Sequence, residues 1–218
     1  MFVIEWRSGL LIILKKKRSR CMPSSVNKQR VVGPGQITDI LQTSFETSLI
    51  TLPVERYLYN IAADRSGLET KTAQFWMAIL HREFPATRQF YLVQEQNPSD
   101  ESRRRVDCKV FTWDDTRNTV RDVLYVEFKR AEITPADREL AVKQVEDYCS
   151  EYIMAPMGYT SLWCMVCYGT RAAFWEAKSR VRTRSGRTSC SAPQDLAWID
   201  ADTPEAKDIS DFFKKLSK

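Results

Sequence analysis

Between residues 84 and 90 the hydrophobic period of the chain switches from that of helices to that of strands, and this switch organises the reading. Upstream, Gln36–Leu49 and Pro53–Ala63 carry apolar residues at helical spacing, with Pro53 suited to a first turn. In Leu68–Phe84 the residues Leu68, Phe75, Ile79 and Leu80 share one broad face, flanked by Trp76 and Phe84, and Pro85 ends the helix. Phe90–Val93 reads as a first strand. Val106, Cys108, Val110 and Thr112 then alternate with Asp107, Lys109, Phe111 and Trp113, which predicts a second strand, and Val120–Phe128 a third. Thr134-Pro135-Ala136-Asp137 opens a helix with its N-cap, first-turn proline and following acid. Its apolar stripe is Leu140, Val145, Tyr148, Cys149 and Tyr152, and it stops before Pro156 and Gly158. Leu162–Tyr168 and Ala172–Glu176, joined by Gly169-Thr-Arg171, are two further strands, and Pro204–Leu216 is a closing amphipathic helix. The order helix, three strands, helix, two strands, helix predicts an α/β chain built as a sandwich around one mixed sheet.

The totals bound this picture. A chain of 218 residues fits one domain with an appended arm. Residues 22–36 have linker composition, so residues 1–36 are read as a basic arm and linker and 37–218 as the compact domain. The apolar run 9–14 is too short for a secretory signal, and the basic hexamer 15–20 lies on its wrong side. That hexamer reads as a nuclear-import tag or a nucleic-acid arm. No stretch approaches the length of a membrane span. Six cysteines without the spacing of a disulfide framework imply reduced thiols and an intracellular chain. A net charge of +5 is compatible with a polyanionic partner. Two clusters sharpen that into candidate phosphate-binding loops: Arg103, Arg104 and Arg105, and then Lys178, Arg180, Arg182, Arg184 and Arg187.

Histidine supplies little here, because His81 is the single one in the chain. Hydrolytic chemistry must then rest on other groups. If the turn of hairpin 106–128 centres near Thr116 or Arg117, Asp107 lies across from Val126 or from Glu127. The second register sets two carboxylates side by side, where a divalent cation such as Mg²⁺ would neutralise them. Lys129 follows Glu127 by two residues and shares its face. Gln144 borders the stripe of the next helix, with Tyr148 one turn on. A polar amide in that position calls for a partner.

Asp107, Glu127-Phe128-Lys129 and Gln144-Val-Glu-Asp-Tyr148, in this order on these elements, resemble the PD-(D/E)XK nuclease superfamily and, within it, the RecB-like branch. The resemblance covers roughly residues 65–180 and implies a restriction-endonuclease-like core, α-β-β-β-α-β, with an N-terminal helical extension and a C-terminal helix. It further implies that Asp107, Glu127 and the carbonyl of Phe128 ligate Mg²⁺ or Mn²⁺. Lys129 would then assist water activation, Gln144 and Tyr148 would steady the substrate or site, and DNA would be cleaved. Many members add a glutamate from the first core helix, for which Glu69 is the candidate and Glu83 the reserve. Val106 stands where the family often has proline.

Three other readings compete. Trp163-Cys164-Met-Val-Cys167 mimics a thioredoxin-like redox motif, but it falls within a strand-like run that would send the two thiols to opposite faces. A zinc site would need further ligands at suitable spacing. The third rival is a catalytically inactive nucleic-acid-binding or interaction module on the same fold, which metal-dependent cleavage would distinguish from a nuclease.

Overall fold

A computed structural model describes residues 2–7, 10–15, 48–96, 105–154, 159–178 and 190–217. The chain divides into two compact units, Met1–Ile37 and Thr38–Lys218. The first contains strands β1 (Phe2–Arg7) and β2 (Leu10–Lys15), paired antiparallel with Phe2 opposite Lys15. The sequence reading saw only an arm there; the alternation of apolar residues with Glu5 and Arg7 is the overlooked strand signal.

The second unit is α/β. Its elements are α1 (Pro53–Ala62), α2 (Glu69–Glu83), β3 (Phe90–Gln96), β4 (Val106–Asp114), β5 (Thr119–Lys129), α3 (Pro135–Met154), β6 (Ser161–Tyr168), β7 (Arg171–Lys178), β8 (Ile199–Asp200) and α4 (Ala206–Leu216). The six strands form one mixed sheet in chain order, antiparallel throughout except that β5 and β6 run parallel. A parallel neighbour requires a crossover, and α3 supplies it. Thr134 and Asp137 cap α3 reciprocally: the Asp137 N–H donates to Thr134 Oγ1 at 3.1 Å and the Thr134 N–H to Asp137 Oδ2 at 3.1 Å.

The even-numbered positions of β5 (Leu124, Val126 and Phe128) pack with Phe75, Ile79 and Leu80 of α2 and with Phe212 and Phe213 of α4. Tyr125 packs oppositely, under Val145, Cys149 and Tyr152 of α3. The sheet is thus sandwiched between α2 and α4 on one side and α3 on the other. Each fully buried large apolar side chain in these layers contributes about 1.5–3 kcal/mol. An ion pair ties α1 to α2: buried Glu55 of α1 accepts the N–H groups of Thr51 and Leu52 at 2.8 and 3.0 Å and meets the Arg82 guanidinium of α2.

Several expectations need correction. Ser48 and Leu49, the described end of the predicted helix Gln36–Leu49, are not helical, and its remainder lies outside the described residues. Leu68 is 70 % exposed because it caps α2 rather than entering it, and Leu140 is 59 % exposed because Ala141 takes the buried position. The short strand β8 was not predicted. Cys164 and Cys167 do take opposite faces, and Cys164 Sγ lies 2.9 Å from Cys149 Sγ on α3. Among the described residues no helix is long and apolar enough to cross a membrane.

The β4–β5 hairpin contains one irregularity that matters below. Near its turn, Asp114 pairs with Thr119 and Phe111 with Asp122; beyond a bulge at Val123, Val110 pairs with Leu124 and Cys108 with Val126.

Gly169, in the β6–β7 turn, has φ +54°, and its N–H donates to Lys129 O at 3.3 Å. A Cβ there would meet Ala131 Cβ at 2.8 Å and Ala62 O at 3.1 Å. Gly169→Ala is therefore expected to destabilise the fold by about 2–4 kcal/mol, combining left-handed strain with overpacking. Urea unfolding would read this as a lower midpoint at unchanged slope.

Candidate active site

Continuing the Cys108–Val126 register by one residue sets Asp107 opposite Glu127, on the sheet face covered by α3. The backbone N–H of Phe128 donates to Asp107 Oδ2 at 2.8 Å, fixing that carboxylate at the end of β5. Lys129 Nζ donates to Glu127 Oε1 at 2.6 Å. Glu127 is only 3 % exposed, and its Oε2 is enclosed without a hydrogen-bond partner. Asp107, Glu127 and Lys129 are therefore brought together.

The electrostatics follow from this crowding. Burial, then the neighbouring Asp107 charge, pushes Glu127 up to about 7, against the pull of Lys129. Burial likewise raises Asp107, while the Phe128 N–H and Lys129 hold it back. For Lys129 burial works downward, but the hydrogen bond and charge of Glu127 outweigh it, so the ammonium stays protonated. Glu69, at the start of α2, is exposed; its carboxyl is raised by the surrounding protein and feels both Lys129 and Asp107. Glu83 instead accepts from Arg82 at 2.8 Å at the far end of α2.

α3 packs on β5 and β6. On it Tyr148 is buried in the core, and Gln144 is half-buried with its Oε1 enclosed and unbonded. Of the predicted phosphate contacts, Arg105 is exposed and lies 3.4 Å from Glu95, and Lys178 pairs with Glu176 at 2.9 Å. Arg103, Arg104, Arg180, Arg182, Arg184 and Arg187 lie outside the described residues. His81 is an exposed residue in the last turn of α2.

The sequence reading missed a neighbouring cavity of about 410 Å³, lined by Arg65, Arg138, Arg171, Tyr59, Tyr168 and Asp200 among others. It borders the carboxyl ends of β5 and β6, where Gly169 bonds the Lys129 carbonyl. Arg138 lies over the Tyr168 ring at 5.6 Å, whereas Asp200 accepts from Tyr59 and Thr170. These residues are scattered along the chain, and Arg171, expected in a turn, begins β7.

The donor set suits a hard divalent cation. Glu127 Oε2 and the Asp107 oxygen not held by Phe128 are carboxylate oxygens of the kind that Mg²⁺ and Mn²⁺ favour. Among the described residues no three or more His, Cys, Asp or Glu side chains form a metal cluster. An ion held here would complete its shell with the Phe128 carbonyl, waters or substrate oxygens. Comparison with known proteins returns no matching family model, no matching curated protein and no matching solved structure.

Proposed function

We propose that the chain is a divalent-cation-dependent nuclease of the PD-(D/E)XK type, RecB-like branch, hydrolysing DNA phosphodiester bonds. The observation that carries this reading is the convergence of Asp107, Glu127 and Lys129 on one sheet face, with a buried carboxylate oxygen left without a partner. The strand plan supports it: three antiparallel strands, then a helical crossover to a fourth strand parallel to the third, preceded by α2. That order is compatible with the restriction-endonuclease-like core the resemblance implies.

In this reading Asp107 and Glu127 would hold Mg²⁺ or Mn²⁺, which when bound would supply Lewis-acid stabilisation of the phosphoryl oxygens and lower the pKa of water. Lys129 offsets the charge of Glu127, orients the attacking water and stabilises negative charge developing on the phosphoryl oxygens. The buried amide of Gln144 and the hydroxyl of Tyr148 steady the site from α3. Glu69 modulates the site charge from α2. Guanidinium groups of the adjoining cavity, with Arg105 and Lys178, offer contacts for backbone phosphates.

Linear, circular and single-stranded DNA incubated with Mg²⁺, Mn²⁺ or EDTA test the proposal. Cleavage is expected only with a divalent cation, and Asp107→Asn is expected to abolish it while circular dichroism stays unchanged. Retention of intact DNA with every cation would instead identify a binding module.

A further inference from the structure

On β4 the side chains of Asp107, Lys109, Phe111 and Trp113 alternate onto one sheet face, so the face that carries the acidic site continues away from it for about 20 Å. α3 packs on β5 and β6, and the continuing face lies on β3 and β4. There, Phe111 is opposite Tyr91, with the rings stacked at 5.4 Å and 23°. Tyr91 is 46 % exposed and Trp113 43 % exposed, and Val120 opposite Trp113 is 44 % exposed. Large aromatic groups on a strand are normally spent on a core, and here two keep more than two-fifths of their surface in water. Cations accompany them. Lys109 Nζ lies 6.0 Å from the Phe111 centroid and is anchored by buried Asp122 at 3.1 Å. At the hairpin end Arg117 and Arg121 lie 4.3 and 5.5 Å from the Tyr159 ring.

We propose that this face is a stacking track for single-stranded nucleic acid, on which successive bases lie against Tyr91, Phe111 and Trp113 and lead the strand to Asp107 and Glu127. Interleaved aromatic rings and cations are what a flexible polyanion with exposed base faces requires. A duplex hides those faces and offers only phosphates, and an apolar protein partner gains nothing from Arg117 and Arg121. The track bears on the nuclease reading by naming its substrate form, yet binding to it does not require catalysis.

The test is fluorescence anisotropy in EDTA, with a labelled mixed-sequence DNA strand about twelve nucleotides long, its RNA counterpart and the matching blunt duplex. The single strands are expected to bind more tightly than the duplex. Tyr91→Ala and Trp113→Ala should each weaken single-strand binding about fivefold to a hundredfold, with duplex binding unchanged. Both positions are exposed, so matching thermal midpoints will show that the fold is kept; Phe111→Leu provides a milder third variant. Wild-type affinity in both alanine variants, or preference for the duplex, overturns the track. So does a dimeric protein that Trp113→Ala makes monomeric, because a second copy would then cover this face. If the strands bind as expected but no cation supports cleavage, the nuclease reading fails and the track stands. If duplex DNA is cut and the variants cut it normally without a single-strand defect, the reverse holds.

Discussion

Lys129→Ala is expected to lower the rate of metal-dependent DNA cleavage by about 10²–10³-fold, with secondary structure and DNA affinity in EDTA retained. Among the described residues, the ammonium group makes the one hydrogen bond to Glu127 Oε1, at 2.6 Å. Its removal has two effects. The developing phosphoryl charge loses a cation, and Glu127, already raised to about 7 by burial and Asp107, loses the group that opposes that rise. Residual activity should therefore require a higher pH as well as being slower. Single-turnover cleavage at saturating Mn²⁺, followed from pH 6 to 9, reads both. A variant within threefold of wild type at every pH would remove Lys129 from the chemistry.

The second large effect concerns stability. Without divalent cation the folded state of Glu127 holds its proton up to about 7, whereas an unfolded glutamate releases it near 4.5. Between those values the native chain binds more protons than the unfolded one, so this group's contribution falls as pH rises. At about 1.4 kcal/mol per pH unit, the loss amounts to roughly 3 kcal/mol by pH 8. Glu127→Gln removes the titration and should flatten the pH dependence across that window, although it forfeits the Lys129 ion pair. Urea unfolding in EDTA at pH 5, 6, 7 and 8 checks this by the difference between wild type and variant, which cancels other groups. Mg²⁺ at a hundred times its dissociation constant should restore about 2.7 kcal/mol to wild type at pH 8 and little to the variant. Identical pH dependence in the two proteins would show that Glu127 does not titrate as its surroundings imply.

What could be read from the sequence was local. Alternation along 106–113 placed Asp107 with Lys109, Phe111 and Trp113, and the Thr134–Asp137 pattern marked the start of α3, because both signals act over a few residues. The separation of Cys164 from Cys167 followed from the same two-residue period. What escaped depends on distant partners or on pieces too short to carry a period. β8 has two residues, and its place is set by Ala201 and Thr170 across the sheet edge. Leu140 matched a helical stripe, but the buried position on α3 is taken by the neighbouring Ala141. The arginine-lined cavity unites Arg65 from the α1–α2 connection, Arg138 from the first turn of α3 and Arg171 from the start of β7, and no sequence window contains them together.

The hairpin turn by itself would have misled. Pairs nearest it obey the register that, carried straight through, sets Val126 against Asp107; the pairs deeper in the sheet obey the next. Val123 is the extra residue that moves the chain from one to the other, and the polypeptide is in effect rephased by half a pleat in mid-strand. Were that insertion absent, Glu127 and Lys129 would be turned into the greasy layer beneath α2 while Phe128 faced α3. The acid pair thus owes its existence to a single uncharged residue packed in the opposite layer, and a comparison of hairpins by length alone would separate chains with this chemistry from chains without it.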